Sequence, residues 1–118
     1  MRAEAAISAG TECCGLLLGR DMIEDIQPAT NVAAQPERHF EIDPQTLIDA
    51  HRAARLGGPA VLGYYHSHPL GPAVPSAVDR EMSAGDGLVW AILAENDTTF
   101  WRDDSQGFAR LSYVVEDR

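Results

Sequence analysis

The sequence predicts an α/β protein, a single domain over residues 1–118 built on a mixed β-sheet with helices packed on its faces. Three observations carry this. Short apolar or alternating runs bounded by Gly and Pro recur along the chain. Two segments combine helical spacing with capping signals. No repeat, low-complexity tract or linker divides the 118 residues. A chain of this length buries roughly two-thirds of its unfolded surface, enough for one core without disulfides. At 45% apolar and 23% charged residues, the composition is that of a chain that folds by itself.

In order, "RAEAAISAG" reads as the tail of a helix, and "CCGLLLGR" is a continuous apolar run suited to a buried strand. "MIEDIQPA" pairs with it through a turn at Gly19 to Asp21, and "RHFEI" is a short alternating third strand. At "DP", Asp43 caps a helix with Pro44 in its first position. That helix runs to Leu56 and stops at Gly57-Gly58, with an inward stripe of Leu47, Ala50, His51 and Ala54. "AVLGYYHSH" is the central strand and "SAVDREMSA" a second helix. "GLVWAILAE", "TTFWRD" and "FARLSYVVE" close the sheet. The predicted order is β-β-β-α-β-α-β-β-β.

Eighteen acidic residues against nine arginines and no lysine leave a net charge of −9, which repels nucleic acid and anionic lipid alike. Neither is an expected partner. No apolar run approaches the roughly 20 residues that span a bilayer. The start "MRAEAAISAG" is too short and too acidic for a secretory signal, so a cytoplasmic location is expected. Cys13 and Cys14 are adjacent, and a bond between them would be strained; both are read as reduced, buried thiols.

The chemistry is concentrated in "YYHSHPLGPAVPSAVD", residues 64–79. Strand side chains alternate, so His66 and His68 share a face while Ser67 points away, and two imidazoles can converge on one ion. The prolines turn the chain, and Asp79 in the first turn of the next helix can swing back as a third ligand. Two histidines and one carboxylate leave a tetrahedral zinc one position short, the donor set of a catalytic site. Such an ion lowers the pKa of a coordinated water from 15.7 to about 7, and hydrolysis follows readily. A second reading stands beside this one. Ser76-Ala77-Val78-Asp79 has capping-box spacing, and both residues could simply finish a helix N-terminus.

"HSHPLGPAVPSAVD", with His-x-His followed by Asp after ten intervening residues, and the upstream "TECCGLLLG" resemble the JAMM (MPN-domain) zinc metallopeptidases, in particular their small stand-alone prokaryotic members. The resemblance runs from Glu12 to about Trp101 and includes "NVAAQPERHFEID". It implies an MPN-type, cytidine deaminase-like three-layer fold, one zinc ion bound by His66, His68 and Asp79, and Ser76 hydrogen-bonding the developing oxyanion. It also implies that Glu12 is the general base, a role the local sequence alone could not assign. Glu81, two positions from Asp79 on a helix, points to a different side and is the weaker candidate.

The implied activity is hydrolysis of a peptide or isopeptide bond. The insertions by which eukaryotic relatives grip ubiquitin are absent, so compact substrates are expected: a ubiquitin-like or sulfur-carrier protein joined through its C-terminal Gly-Gly tail, or a short peptide. An extended tail can add to a sheet edge. Two alternatives stay open: a non-catalytic MPN-like scaffold, and a peptidase of the phage-tail-assembly type. His39 and His51 are read as packing or surface histidines, Cys13 and Cys14 as packing residues, and Tyr64, Tyr65, Trp90 and Trp101 as sheet-packing aromatics.

Overall fold

The computed structural model describes residues 12–34, 40–68, 72–94 and 97–112. The expected opening helix, His39, residues 69–71 and the end of the last expected strand lie outside the described residues.

The sheet is six-stranded, in the order β2-β1-β3-β4-β5-β6. Its strands are β1 (Cys14–Gly19), β2 (Ile23–Ala29), β3 (Ala60–Ser67), β4 (Val89–Ala94), β5 (Asp97–Asp104) and β6 (Gly107–Leu111). β3 and β4 run parallel, and the other neighbouring pairs are antiparallel. The sheet is therefore mixed, as the alternation of strand and helix signals predicts.

β1 and β4 are interior strands whose residues are almost all buried, which is why both read as unbroken apolar runs. Their side chains split between two faces by the period of two. Cys14, Leu16 and Trp90 join Phe40 and Ile42 on one face; Leu17, Tyr65, Ala91 and Leu93 form the core of the other. Each fully buried Leu contributes on the order of 2 kcal/mol through apolar burial. Gly63 marks a close approach: a Cβ there would stand 1.8 Å from the Val89 carbonyl oxygen, so only glycine lets β3 and β4 begin pairing at this point.

Helix α1 (Pro44–Arg55) starts as predicted, with Pro44 in its first turn and the Asp43 side chain accepting from the Gln45 N–H. Leu47 and Ala50 pack against the first core and Ala54 is half-buried, but His51 is exposed. Its place in the inward stripe is corrected: Thr46, Leu47, Ala50 and Ala54 make the inner face, and His51 lies beyond its edge.

Two further expectations change. Of the third strand "RHFEI", the described residues Phe40 to Ile42 form no ladder, only an isolated bridge between Ile42 and Asn31. The alternation is right, with Phe40 and Ile42 buried and Glu41 exposed. The Glu41 N–H is instead taken by the Asn31 side chain, Oδ1 at 3.0 Å.

The second helix, α2 (Ala77–Met82), is shorter than the predicted span of residues 76–84. The buried Asp103 carboxylate accepts from the Ser83 hydroxyl and from the Ala84 N–H, which draws the chain out of the helix at its C-cap. That partner lies about twenty positions downstream, beyond any local signal.

Candidate active site

Three pieces of chain meet at one end of the sheet: the entry to β1, the exit from β3 and the start of α2. At the exit of β3, His66 and His68 share a face as the two-residue period requires, and their Nε2 atoms lie 3.1 Å apart. Ser67, on the opposite face, accepts from the Cys13 N–H at 2.8 Å, while its own N–H donates to the Cys13 carbonyl at 3.0 Å. The His68 N–H donates to the Leu93 carbonyl at 2.7 Å, carrying the attachment to β4 one residue past the strand.

α2 delivers Asp79. Ser76 is its N-cap, accepting from the Asp79 N–H at 3.0 Å, and the Ser76 N–H donates to Asp79 Oδ2 at 2.9 Å. The same Oδ2 lies 3.1 Å from His66 Nε2 and 3.0 Å from His68 Nε2. The capping-box reading of Ser76 and Asp79 is observed, and it leaves the ligand reading open, because the capping box aims the carboxylate at the imidazoles.

Ligand-type atoms of His66, His68 and Asp79 all lie within 4.8 Å of one another, and the group can hold a metal ion. For two of the three groups the protonation chemistry fits. Burial pushes the His66 imidazole below its ordinary value against the pull of Asp79, leaving a neutral ring with a lone pair. Burial raises Asp79, but hydrogen bonds to His66 and His68 outweigh it and hold the carboxyl well below the usual carboxylate range. For His68, burial lowers the value; bonds to Asp79 and the Pro72 carbonyl, with the charges of Asp79 and Glu12, bring it above normal.

A carbonyl can only accept, so His68 Nδ1, 2.8 Å from the Pro72 oxygen, carries a hydrogen and leaves the Nε2 lone pair for a ligand. His66 is oriented by packing: its ring stacks on Phe40 with centroids 4.4 Å apart and meets Trp90 edge-on. Two nitrogens and one carboxylate oxygen, buried and facing one space, are a donor set suited to zinc.

Glu12 stands just before β1, buried, with Oε1 having no hydrogen-bond partner among the described residues. Its backbone carbonyl accepts from Asn31 Nδ2 at 2.8 Å. Burial, and next the charge of Asp79, push the carboxyl from 4.5 up to about 7, with His68 opposing. Glu12 therefore lies within electrostatic reach of the three residues above and is poised to exchange a proton near neutral pH. Glu81 is exposed, consistent with its lower rank, and Cys13 and Cys14 are buried with no disulfide.

Sequence reasoning missed the residues that do the holding. Asn31 opens the quoted segment "NVAAQPERHFEID", and its amide is a usable hint at a strand end. The Pro72 carbonyl and the role of Ser67 have no local signature.

The model of the family described as "Prokaryotic homologs of the JAB domain" matches residues 1–104. The chain is 35% identical over 121 residues to a protein of Haloferax volcanii named "Desampylase", an alignment covering 98% of this chain and 86% of that relative. It is 40% identical over 78 residues to a "Probable TtuB-protein conjugate cleaving protease" of Thermus thermophilus, covering 66% of this chain and 53% of the relative. A solved structure of a protein from Desulfitobacterium hafniense superposes with a TM-score of 0.87 at 29% identity, covering 100% of this chain and 87% of that one. With a family match over residues 1–104 and a 35% identical relative that covers 98% of it, the chain belongs to the prokaryotic JAB-domain branch of the JAMM/MPN family.

Proposed function

We propose that this protein is a zinc-dependent isopeptidase acting as one domain. It hydrolyses the bond between the C-terminal Gly-Gly tail of a ubiquitin-like or sulfur-carrier protein and an amine. The observation that carries this is the convergence of His66, His68 and Asp79 beside a buried Glu12 with one carboxylate oxygen unpartnered. The names of the Haloferax and Thermus relatives support the substrate class.

In this reading His66, His68 and Asp79 hold the metal. A bound zinc ion supplies Lewis acidity, polarising a carbonyl and letting water ionise near neutral pH. Glu12 takes the proton from the attacking water as its oxygen bonds to the substrate carbonyl carbon. Glu12 then returns that proton to the nitrogen as the carbon–nitrogen bond breaks. In the metal-free site, burial and the Asp79 charge push the Glu12 carboxyl up to about 7, so it gives and takes protons around neutral pH. Ser76 Oγ already accepts from the Asp79 N–H, so its own hydrogen is available to the oxygen on which negative charge develops. No covalent enzyme intermediate forms. No helix among the described residues is long and apolar enough to cross a membrane.

The test is hydrolysis of a Gly-Gly-tailed conjugate by protein of measured zinc content. Glu12→Gln should keep the metal and lose about 10²–10⁴ in kcat. A fully active Glu12→Gln enzyme, or wild-type protein inert on every such conjugate, overturns the reading.

A further inference from the structure

The loop that ends at Ser76 performs three tasks in the site. The Pro72 carbonyl accepts from His68 Nδ1, and Ser76 bonds Asp79 through both its N–H and its hydroxyl. A side chain well outside the motif holds this loop. Thr99, in β5 and 1% exposed, donates its hydroxyl hydrogen to the Ala73 carbonyl at 2.5 Å. The same Thr99 oxygen accepts from Trp101 Nε1 at 2.8 Å. An indole donor polarises the hydroxyl and strengthens its onward bond.

β4 separates β5 from β3, so this bond reaches the loop from the far neighbour of the metal-side strand. His68 and Ala73 are therefore each tied to the sheet. The His68 N–H is bonded to Leu93 on β4, and the Ala73 carbonyl to Thr99, which pairs with Ile92 across the β4–β5 ladder. Pro72, whose carbonyl sets the His68 tautomer, is the residue next to Ala73.

The geometry points to Thr99 as a positioning residue of the metal centre. By fixing Ala73 it fixes the Pro72 carbonyl and through it the His68 ring, so metal affinity depends on a hydroxyl on a strand that carries no ligand. The inference rests on the reading of His66, His68 and Asp79 as ligands. A hydroxyl that only satisfied a buried carbonyl would influence stability and leave metal affinity untouched.

The experiment measures the zinc dissociation constant by competition with a chromophoric chelator, together with the visible spectrum of the Co²⁺-substituted protein. It compares wild type, Thr99→Val, Thr99→Ser and Val61→Ala, the last a half-buried control at the opposite end of β3. Losing a direct hydrogen-bond partner of a ligand typically costs 10–100-fold in affinity; Thr99 acts one residue further out, so about 3–10-fold weaker binding and an altered Co²⁺ spectrum are expected for Thr99→Val. Thr99→Ser, which keeps the donor, should bind within about twofold of wild type on the same scale. Val61→Ala should lose thermal stability at unchanged affinity.

Wild-type affinity in Thr99→Val, or equal weakening in Thr99→Ser, overturns the role of Thr99. If Thr99→Val does not fold, Thr99→Cys, of similar size with a weak donor, replaces it under the same expectation. A wild-type protein that binds no zinc overturns the ligand reading itself, and this inference with it.

Discussion

Ser67 and Cys13 hold each other at two points. The Ser67 hydroxyl accepts from the Cys13 N–H at 2.8 Å, and the Ser67 N–H donates to the Cys13 carbonyl at 3.0 Å. Ser67 sits between the two histidines, and Cys13 follows Glu12. The clasp therefore sets the register between the residues proposed to bind metal and the carboxylate proposed to move the proton.

Ser67→Ala should expose what the clasp does. It leaves a buried N–H unsatisfied, at a cost of about 1–3 kcal/mol in unfolding free energy. Misplacing Glu12 should also lower kcat by about tenfold with KM nearly unchanged, since small displacements of a catalytic group are costly. Denaturant unfolding and steady-state kinetics check both; a stability loss with unchanged kcat would mean the clasp is structural only.

Ser76→Ala removes a helix cap and a hydroxyl donor together. Losing the cap should cost about 1 kcal/mol in stability. Losing a donor to the developing oxyanion should cost about 10²–10³ in kcat. Ser76→Asp, which can still cap α2, should recover stability without activity. Recovery of activity in that variant would count against the oxyanion role.

The metal-free protein should show Glu12 in its pH dependence. Its carboxyl titrates at about 7 when folded, against an ordinary 4.5, so between these values the folded state binds the extra proton. The stability that Glu12 permits is fully present below about 4.5 and is lost as the pH rises through about 7. In chelated protein, Glu12→Gln should therefore be more stable than wild type at pH 8, by on the order of 2 kcal/mol, with the difference vanishing near pH 4. Parallel pH–stability curves for the two proteins would show a solvated Glu12.

Chelation should lower the melting temperature of wild type. Zinc at 100 times its dissociation constant stabilises the folded state by about 2.7 kcal/mol, equivalent to several degrees in a domain of this size. His68→Ala should melt at the same temperature with and without chelator. A chelator response that survives in that variant would place the ion elsewhere.

Gly15→Ala tests the packing beneath the site. The added Cβ would lie 2.3 Å from Tyr65 Cε1 and 2.5 Å from the Gln27 carbonyl oxygen. A destabilisation of about 1–3 kcal/mol in thermal or denaturant unfolding is expected from overpacking.

The features legible in the order of residues are those that rest on short-range periodicity. The two-residue period placed His66 and His68 on one face. The three-residue spacing of a capping box put Asp79 over Ser76, and Asp43-Pro44 started α1 where predicted. The unbroken apolar run of "CCGLLLGR" marked β1 as a buried strand, whereas β4, read only as a closing strand, proved to be interior. Glu12 was legible only through the family resemblance, because no local pattern ties a residue at the mouth of one strand to ligands 54 positions onward.

Tertiary structure alone decided the rest: Asp103 ending α2, Asn31 replacing a ladder at Glu41, His51 turned to solvent, and Pro72 and Thr99 supporting His68. Asp103 and Thr99 meet partners 20 and 26 positions away only after the sheet has assembled, and the others follow from how the loops and the helix seat against it. A buried polar group must find a partner, but which distant residue supplies it is settled by strand order and register, not by the chain's local period.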